Sequence, residues 1–314
     1  MDEVSVARKI EALKKEVHKA VVGYDEVIEG LLIALVSRGH VLLEGVPGIA
    51  KTLLAKSFAQ ALSCKFSRIQ FTPDLVPSDI TGTSIFDAKT GVFQFREGPV
   101  FTNVLLTDEI NRSPPKVQSA LLECMQERRV TIDGKPYPVP EPFFVIATQN
   151  PIEMEGVYPL PEAQVDRFMF KLIMKYPTRE EEKNMLSRYV STDVPTVKAV
   201  LSLDDLQKFA GLVGTVTIEA KVFDYVLDIA EATRNDERVM LGASPRASLQ
   251  IAVASRARAL VRGRDYVSPA DVKAVAPNAL RHRVVLKPEA ELEGLTTDGF
   301  ISELLDKVPV PKLI

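Results

Sequence analysis

The segment from Leu42 to Thr52 constrains the fold of this chain more than any other. Its sequence is Leu-Leu-Glu-Gly-Val-Pro-Gly-Ile-Ala-Lys-Thr. The pattern predicts an apolar strand that leads into a glycine-containing loop, after which Lys51 and Thr52 open a helix. Such a loop directs successive backbone N–H groups toward one point, and the helix adds the positive end of its dipole. The segment therefore predicts a strand–loop–helix unit that binds phosphate.

A triphosphate is the ligand that suits this unit. Lys51 would reach the β- and γ-phosphates, and the Thr52 hydroxyl would hold Mg²⁺. The full pattern has glycine directly before the lysine, and this chain has Ala50, the smallest possible departure. The alternative is a tight turn that binds nothing. The residues expected to bind nucleotide here are Gly45, Val46, Pro47, Gly48, Ile49, Ala50, Lys51, Thr52 and Leu53.

A second signal comes from the apolar run Val104–Thr107, which is followed directly by Asp108 and Glu109. An acidic pair after a strand is commonly just the start of a solvated loop. Beside a phosphate-binding loop, however, Asp108 could order the Mg²⁺ shell. Glu109 could orient or deprotonate a water that attacks the γ-phosphorus. The two motifs together predict hydrolysis of ATP or GTP.

Composition excludes several other classes of protein. The chain has 314 residues, 46% of them hydrophobic, which suits a core domain and a smaller second domain. Its net charge of -3 gives no basic surface for general nucleic-acid binding. Cys64 and Cys124 lack metal or redox spacing, which is typical of a reducing compartment. With no signal peptide, and with the apolar run Leu31–Val36 too short to span a bilayer, we expect a cytoplasmic protein without a membrane partner.

The order of the predicted elements gives the fold class and the domains. We expect an α/β core over residues 1–175, with a mostly parallel sheet flanked by helices. Residues 176–200 would form a connecting helix and linker, opened by a capping box at Thr178. Residues 201–286 would form an all-helical lid, and residues 287–314 a weakly patterned C-terminal tail without an assigned function. The strands predicted for the sheet are Val41–Leu43, Phe66–Gln70, Val104–Thr107, Phe143–Thr148 and Phe170–Met174.

Two β-hairpins are predicted within the core. The first lies between Thr81 and Val100, and the second turns at Asp133-Gly134, a strong hairpin dipeptide. Either could be a plain surface hairpin. The positions of the hairpins are more informative than their presence. One precedes the strand that ends in the acidic pair, and the other precedes the strand that leads to Asn150.

The chain resembles the MoxR-type AAA+ ATPases, a group that is also similar to the magnesium chelatase ATPase subunit, the MCM helicases and the dynein-related ATPases. The resemblance covers nearly the whole chain. It implies a P-loop AAA+ core with a helical lid, ATP and Mg²⁺ as cofactors, and a homo-oligomeric ring, usually a hexamer, with ATP between subunits. The segments that carry it are residues 44–52, 72–82, 108–112, 147–151, 161–168 and 244–246.

The resemblance also implies roles for single residues. Asn150 would be the first sensor, an amide between Glu109 and the γ-phosphate, although Asn-Pro is also an ordinary strand terminator. Arg167, expected in a short helix with Asp166, would be a finger that reaches the ATP of the neighbouring subunit. The alternative for Arg167 is an exposed Asp–Arg pair, which contributes little to stability. Gly23 would lie near the adenine.

Arg246 supports a further role on physical grounds. Ser244 is expected to cap a helix and Pro245 to occupy its first position, so Arg246 falls in the first turn. A cation there opposes the helix dipole at a cost of roughly 0.3–1 kcal/mol. An anionic ligand would remove this conflict, which agrees with the second-sensor role that the resemblance implies. The sequence leaves open whether Arg246 contacts the nucleotide of its own subunit or that of the neighbour. Arg112, which follows the acidic pair, is a candidate for the interface between subunits.

The resemblance favours chaperone-like remodelling of partner proteins, and proteins with a von Willebrand factor A domain are candidate clients. One alternative is a nucleic-acid translocase of the MCM type. Its only local support is Arg128, Arg129 and Lys135 near the second hairpin, and on an acidic protein we expect no nucleic-acid partner. The other alternative is a scaffold whose ATP drives assembly without hydrolysis. Glu109 disfavours it, because a binding switch needs no carboxylate that activates water.

Overall fold

The computed structural model describes residues 3–150, 157–190 and 195–312. The core alternates helices and strands as predicted. Its elements, in chain order, are α1 (Glu3–Val17), α2 (Asp25–Val36), β1 (Val41–Glu44), α3 (Lys51–Ala61), β2 (Phe66–Gln70), α4 (Pro77–Thr81), β3 (Gly82–Asp87), β4 (Val92–Glu97), β5 (Val104–Asp108), a 3-10 turn (Ile110–Arg112), α5 (Pro115–Glu127), β6 (Arg129–Ile132), β7 (Lys135–Pro138), β8 (Phe144–Gln149), α6 (Glu162–Val165) and β9 (Phe170–Ile173).

The central sheet has five strands in the order β2-β5-β8-β1-β9, and every pair in it is parallel. All five predicted strands are confirmed, with bounds that differ by at most one residue. Alternate residues of each strand face opposite sides of the sheet, and each side packs in its own hydrophobic cluster. Leu43 and Leu106 join one cluster, whereas Leu42 and Leu105 join the other. Burial on both sides explains the nearly continuous apolar runs.

Both predicted hairpins are present, and they contact each other. Strands β3 and β4 pair from Gly82↔Glu97 to Asp87↔Val92, and β6 pairs with β7. The second hairpin turns at Asp133 and Gly134, which both have a positive φ, as the dipeptide predicts. Phe95 of the first hairpin stacks on Tyr137 of the second with ring centroids 4.2 Å apart. The two insertions therefore form one protrusion.

The connecting segment begins as the sequence predicts. The Thr178 hydroxyl accepts a hydrogen bond from the Glu181 N–H, and the Glu181 carboxylate accepts from the Thr178 N–H, so a full capping box opens α7 (Arg179–Tyr189). Most of the predicted linker, residues 191–194, lies outside the described residues.

The second domain is helical, as predicted, with one addition. Its elements are α8 (Leu203–Val213), α9 (Ala220–Asn235), β10 (Val239–Leu241), α10 (Pro245–Val261), α11 (Pro269–Leu280), β11 (Val285–Leu286), α12 (Pro288–Leu292) and α13 (Thr297–Lys307). The addition is a small antiparallel sheet of β10 and β11. Within the described ranges, no helix has the length and apolar character that crossing a bilayer requires.

The structure differs from the expected C-terminal tail over residues 287–312. Helices α12 and α13 occupy this segment, and α13 buries Phe300, Ile301, Leu304 and Leu305. These side chains belong to the same hydrophobic cluster as the buried faces of α9 and α11. The segment is therefore part of the lid core. The signal was present in the sequence, because these apolar residues recur on one face of a helix that Thr296 caps.

One buried cation, Arg283, joins the lid to the core. Its Nε donates to Asp166 Oδ1 at 2.6 Å, and its Nη2 donates to the carbonyl oxygens of Asp166 at 2.9 Å and Phe168 at 2.6 Å. The side chain is 2% exposed, and its burial lowers the pKa of the guanidinium although Asp166 opposes the shift. The residues just before β9 are thus fixed against the end of α11.

Replacing Phe300 with alanine tests whether α13 belongs to the lid core. Phe300 is 0% exposed, so we expect Phe300→Ala to lower the free energy of unfolding by about 3–5 kcal/mol, because a buried ring is lost and a cavity remains. Denaturant unfolding measures this change. The matched control is Leu292→Ala, since Leu292 is 88% exposed and its loss should change stability by less than about 0.5 kcal/mol. Equal small effects of both substitutions would contradict the packing of α13.

The buried imidazole of His40 predicts a dependence of stability on pH. Its Nδ1 accepts from the Val145 N–H at 3.1 Å and its Nε2 contacts the Met125 carbonyl oxygen at 3.1 Å, so the ring is neutral. Burial, followed by the charges of Arg128 and Arg246, lowers the pKa of His40 to about 3. Since the pKa in the unfolded chain is about 6.5, protonation favours the unfolded state as the pH falls through 6.5.

We therefore expect the stability of the protein relative to His40→Gln, which cannot titrate, to fall by about 2 kcal/mol between pH 7 and pH 5. Denaturant unfolding of both proteins at each pH measures the difference. A difference that stays constant over this range would contradict a neutral, buried His40.

Candidate functional site

The phosphate loop lies between the end of β1 and the start of α3. A Cβ atom at Gly45 would lie 2.3 Å from Ile49 Cδ1 and 2.9 Å from the Met174 carbonyl oxygen, so only glycine fits there. Ala50 is the N-cap of α3 and has a left-handed conformation with φ 67°, and it makes no side-chain cap. The start of α3 thus has no side-chain cap from its N-cap residue, and a helix start of this kind is where proteins bind anions.

Lys51 and Thr52 begin α3 and lie beside the acidic strand end. The Lys51 ammonium donates to the Gly45 carbonyl oxygen at 2.5 Å, so this side chain lies across the loop. Thr52 Oγ1 is 3.4 Å from Asp108 Oδ2. A hydroxyl and a carboxylate are hard oxygen ligands, and Mg²⁺ characteristically takes one or two such protein groups together with phosphate oxygens and waters. The residues present thus fit a Mg²⁺ ion that accompanies a nucleotide.

The acidic pair is positioned by a residue that the sequence did not single out, Thr148. Its hydroxyl accepts from the Glu109 N–H at 2.9 Å and donates to Asp108 Oδ1 at 3.2 Å. Thr148 is 1% exposed and lies on β8, which pairs with β5, so the contact follows from the strand order. Glu109 has a left-handed backbone with φ 57°, which turns its side chain away from the line of the strand.

Three further side chains surround the acidic pair. Arg68 Nε donates to Asp108 Oδ2 at 2.6 Å, and Gln70 Nε2 donates to Glu109 Oε2 at 2.6 Å. Arg112 Nε lies 3.1 Å from the same Glu109 oxygen. Sequence reasoning missed Arg68 and Gln70. The signal in the sequence was the alternation of polar residues along β2. The structure pairs β2 with β5, so that Gln70 is opposite Asp108.

Asn150 follows β8 and is 5% exposed. Strand β8 lies between β1 and β5, and its register sets Gln149 beside Glu44. The structure therefore brings Asn150 to the same edge of the sheet as the phosphate loop and the acidic pair. The proline of the Asn-Pro motif, Pro151, lies outside the described residues.

A cleft of about 280 Å³ opens beside the phosphate loop, between the core and α7. Its walls are mostly apolar and include Val21, Tyr24, Leu53, Tyr176, Met185 and Tyr189. Such walls suit a flat nucleobase. Gly23 has φ +78°, and a Cβ there would lie 2.4 Å from Glu181 Oε1, so glycine allows α7 to approach closely. Of these wall residues, only Leu53 was predicted from the sequence to bind nucleotide, because the others lie outside the phosphate-loop motif.

The structure places Arg167 and Arg246 together, away from the phosphate loop of their own chain. Arg167 lies in the turn after α6, because that helix ends at Val165. The sequence predicted a short helix that includes Arg167, so the helix ends at least two residues earlier than expected. Ser244 caps α10 by accepting from the Ala247 N–H at 3.3 Å, and its hydroxyl also donates to Asp166 Oδ1 at 3.3 Å. The start of α10 thus contacts the residue directly before Arg167.

The contact between Ser244 and Asp166 shows which end of the sheet the start of α10 occupies. Asp166 lies shortly before β9, and the Met169 N–H donates to the His40 carbonyl oxygen at 2.8 Å. His40 directly precedes β1, whereas the phosphate loop follows the other end of β1. Five residues of extended chain span roughly 16 Å at about 3.3 Å per residue. The first turn of α10, which contains Arg246, therefore lies near the end of β1 that is opposite its own phosphate loop.

Comparison with known proteins agrees with this fold and site. Residues 40–170 match the sequence model of the ATPase family associated with various cellular activities, and residues 231–304 match that of the AAA lid domain. A crystal structure of a protein from Cytophaga hutchinsonii, assigned as an ATPase, superposes with a TM-score of 0.91 at 44% sequence identity and covers 99% of this chain and 97% of its own.

Proteins similar to this chain carry the MoxR name. The chain is 50% identical over 307 residues to chaperone MoxR1 of Mycobacterium tuberculosis, which covers 95% of this chain and 81% of the relative. It is 31% identical over 324 residues to protein MoxR of Methylorubrum extorquens, and the match covers 95% of this chain and 94% of that relative. Identity and coverage at this level, together with the AAA core and lid, show that the chain belongs to the MoxR family of AAA+ ATPases.

Proposed function

We propose that this chain hydrolyses ATP with Mg²⁺ at the interfaces of a homo-oligomeric ring and uses the cycle to remodel partner proteins. One observation carries the proposal. Three adjacent parallel strands, β1, β5 and β8, end at one edge of the sheet and bring the phosphate loop, the acidic pair and Asn150 together there. Phosphate cradle, metal ligands and a base for water are the groups that phosphoanhydride hydrolysis requires.

Each residue has a role that follows from its position. The loop N–H groups and Lys51 bind the β- and γ-phosphates. Thr52 and Asp108 would hold Mg²⁺, which when bound neutralises charge on the phosphate oxygens. Glu109 orients a water toward the γ-phosphorus and takes up its proton as the bond to the leaving ADP oxygen breaks. Asn150 would fix the same water through its amide. The apolar cleft beside Tyr24 takes the adenine.

Arg167 and Arg246 complete the site of a neighbouring subunit in this proposal. Two observations support it: Ser244 contacts Asp166, and the Met169 N–H, three residues further on, bonds to His40 at the end of β1 opposite the phosphate loop. Two guanidinium groups on that surface suit the γ-phosphate of an adjoining chain, where such a finger contributes on the order of 10³–10⁵ in rate. Hydrolysis would then require assembly, and a hexamer is the ring size that we propose.

The hairpin protrusion supports a protein client over nucleic acid. Strands β3–β4 and β6–β7 with their turns contain four basic residues (Lys89, Arg96, Arg129 and Lys135) and three acidic ones (Asp87, Glu97 and Asp133). Nucleic-acid binding requires a clear excess of cations. The first hairpin instead exposes apolar rings, because Phe86 and Phe93 are 54% and 71% exposed. Together with the chaperone name of a relative, this favours a polypeptide client, for which a von Willebrand factor A domain protein is one candidate.

Replacing Glu109 with glutamine tests the assigned base. We expect Glu109→Gln to keep the affinity for ATP within about threefold and to lower phosphate release by at least about 10²-fold, because the amide cannot accept the proton. Nucleotide binding by calorimetry and phosphate release in steady state measure the two effects. Glu127→Gln is the matched control, since Glu127 is exposed at the end of α5 and pairs with Arg129 at 3.3 Å. Unchanged phosphate release from Glu109→Gln would refute the role.

Mixing two inactive variants tests whether the arginines act between subunits. Arg246→Ala rings and Lys51→Ala rings should each be inactive. A mixture should recover part of the activity, because some interfaces pair an intact phosphate loop with an intact Arg246. A mixture of Arg167→Ala with Lys51→Ala should also recover part of the activity. The control adds the double variant Lys51→Ala/Arg246→Ala to Arg246→Ala, a mixture in which no interface is complete. Failure of Arg246→Ala to recover with Lys51→Ala would show that Arg246 serves its own nucleotide.

A further inference from the structure

Arg68 contacts the metal-binding carboxylate from the edge strand of the sheet. Arg68 and Gln70 are two residues apart on β2, so they lie on one face of the sheet, where Gln70 is opposite Asp108 of β5. Arg68 Nε is 2.6 Å from Asp108 Oδ2. The Arg68 side chain is 49% exposed, whereas that of Asp108 is 8% exposed. A half-exposed cation therefore neutralises a buried carboxylate.

The oxygen that Arg68 occupies is the one that faces Thr52. Asp108 Oδ2 is 3.4 Å from Thr52 Oγ1, whereas Oδ1 accepts a hydrogen bond from Thr148. A cation held between Thr52 and Asp108 would use Oδ2, because Oδ1 points to Thr148. The Arg68 guanidinium and a metal ion thus require the same oxygen atom. A buried carboxylate without a counter-charge is costly, and Arg68 supplies one.

We propose that Arg68 competes with Mg²⁺ for Asp108 and thereby sets the Mg²⁺ concentration at which this site loads its nucleotide. The inference rests on the proposed function, since it assigns a positioning residue to the same site. The exchange costs little, because an ion pair with one exposed partner is weak. Arg68 would leave Asp108 as the metal arrives and return as the metal departs.

The same side chain links the metal site to the base. Arg68 Nη2 donates to Gln70 Oε1 at 3.1 Å, and Gln70 Nε2 donates to Glu109 Oε2 at 2.6 Å. Asp108, Arg68, Gln70 and Glu109 therefore form one continuous chain of hydrogen bonds. When Arg68 leaves Asp108, Gln70 loses a partner that orients its amide, whereas Arg112 keeps its contact with Glu109. The metal-binding carboxylate and the proposed base are thus linked through two side chains of β2.

Titration with Mg²⁺ tests the competition without measuring activity. A fluorescent ATP analogue is bound to the full chain in EDTA, and Mg²⁺ is then added to find the concentration that gives half of the increase in affinity. We expect Arg68→Gln to lower this concentration about two- to fivefold, the range set by a partly exposed ion pair. Affinity for the analogue in EDTA should change less than twofold. Arg68→Lys keeps the charge and should stay close to the unsubstituted protein.

A charge control and a second variant make the result decisive. Lys208→Gln removes the same charge from an exposed position on α8, where Lys208 pairs with Asp204, and should leave the Mg²⁺ requirement unchanged. Gln70→Leu weakens the hold on Arg68 and should lower the requirement by a smaller factor, which serves if Arg68→Gln fails to fold. An unchanged or raised requirement in folded Arg68→Gln overturns the inference alone. Absence of ATP binding by the unsubstituted protein would overturn the proposed function and the inference with it.

Discussion

The parallel pairing of β1, β5 and β8 is the constraint on which the rest of the site depends. Backbone hydrogen bonds between parallel strands fix their register, so the residues that follow the three strands meet at one edge. The Thr148 hydroxyl then joins β8 to the residues that end β5, because it bonds to both Asp108 and the Glu109 N–H. The loop of residues 45–50 then joins the end of β1 to the start of α3. The phosphate loop and the acidic pair therefore hold their places relative to each other through the sheet and not through flexible side chains.

The second constraint is the docking of the lid against the residues that precede β9. Arg283 is buried, and it donates to the Asp166 carboxylate and to carbonyl oxygens of this segment. A buried guanidinium is strongly destabilising unless its donors are satisfied, so these contacts keep the end of α11 and the turn at Arg167 together. Ser244 extends the same contact to the start of α10. Arg167 and Arg246 are consequently presented as one unit, and the lid cannot rotate without carrying Arg246 along the core surface.

Electrostatics around the acidic pair explains how two neighbouring carboxylates are accommodated at one strand end. Two carboxylates near one strand end repel each other and resist burial. Arg68 neutralises Asp108, and Arg112 and Gln70 bind Glu109, so each carboxylate has its own partner. These partners also hold the acidic pair in a resting arrangement. Because the Arg68 and Arg112 side chains are about half exposed, their ion pairs can be exchanged for stronger ligands at little cost.

The amino-acid sequence determined what depends on neighbouring residues. The phosphate loop, the five strands, the capping box at Thr178 and both hairpins followed from local patterns, because turns, caps and alternation are set within a few residues. Only the tertiary structure decided which distant segments meet. It brought Arg68 and Thr148 to the acidic pair, built the apolar cleft from α7 and the segment before α2, packed α13 into the lid, and placed the start of α10 beside Asp166. These contacts follow from strand order and lid docking, which are global properties that no short stretch of sequence encodes.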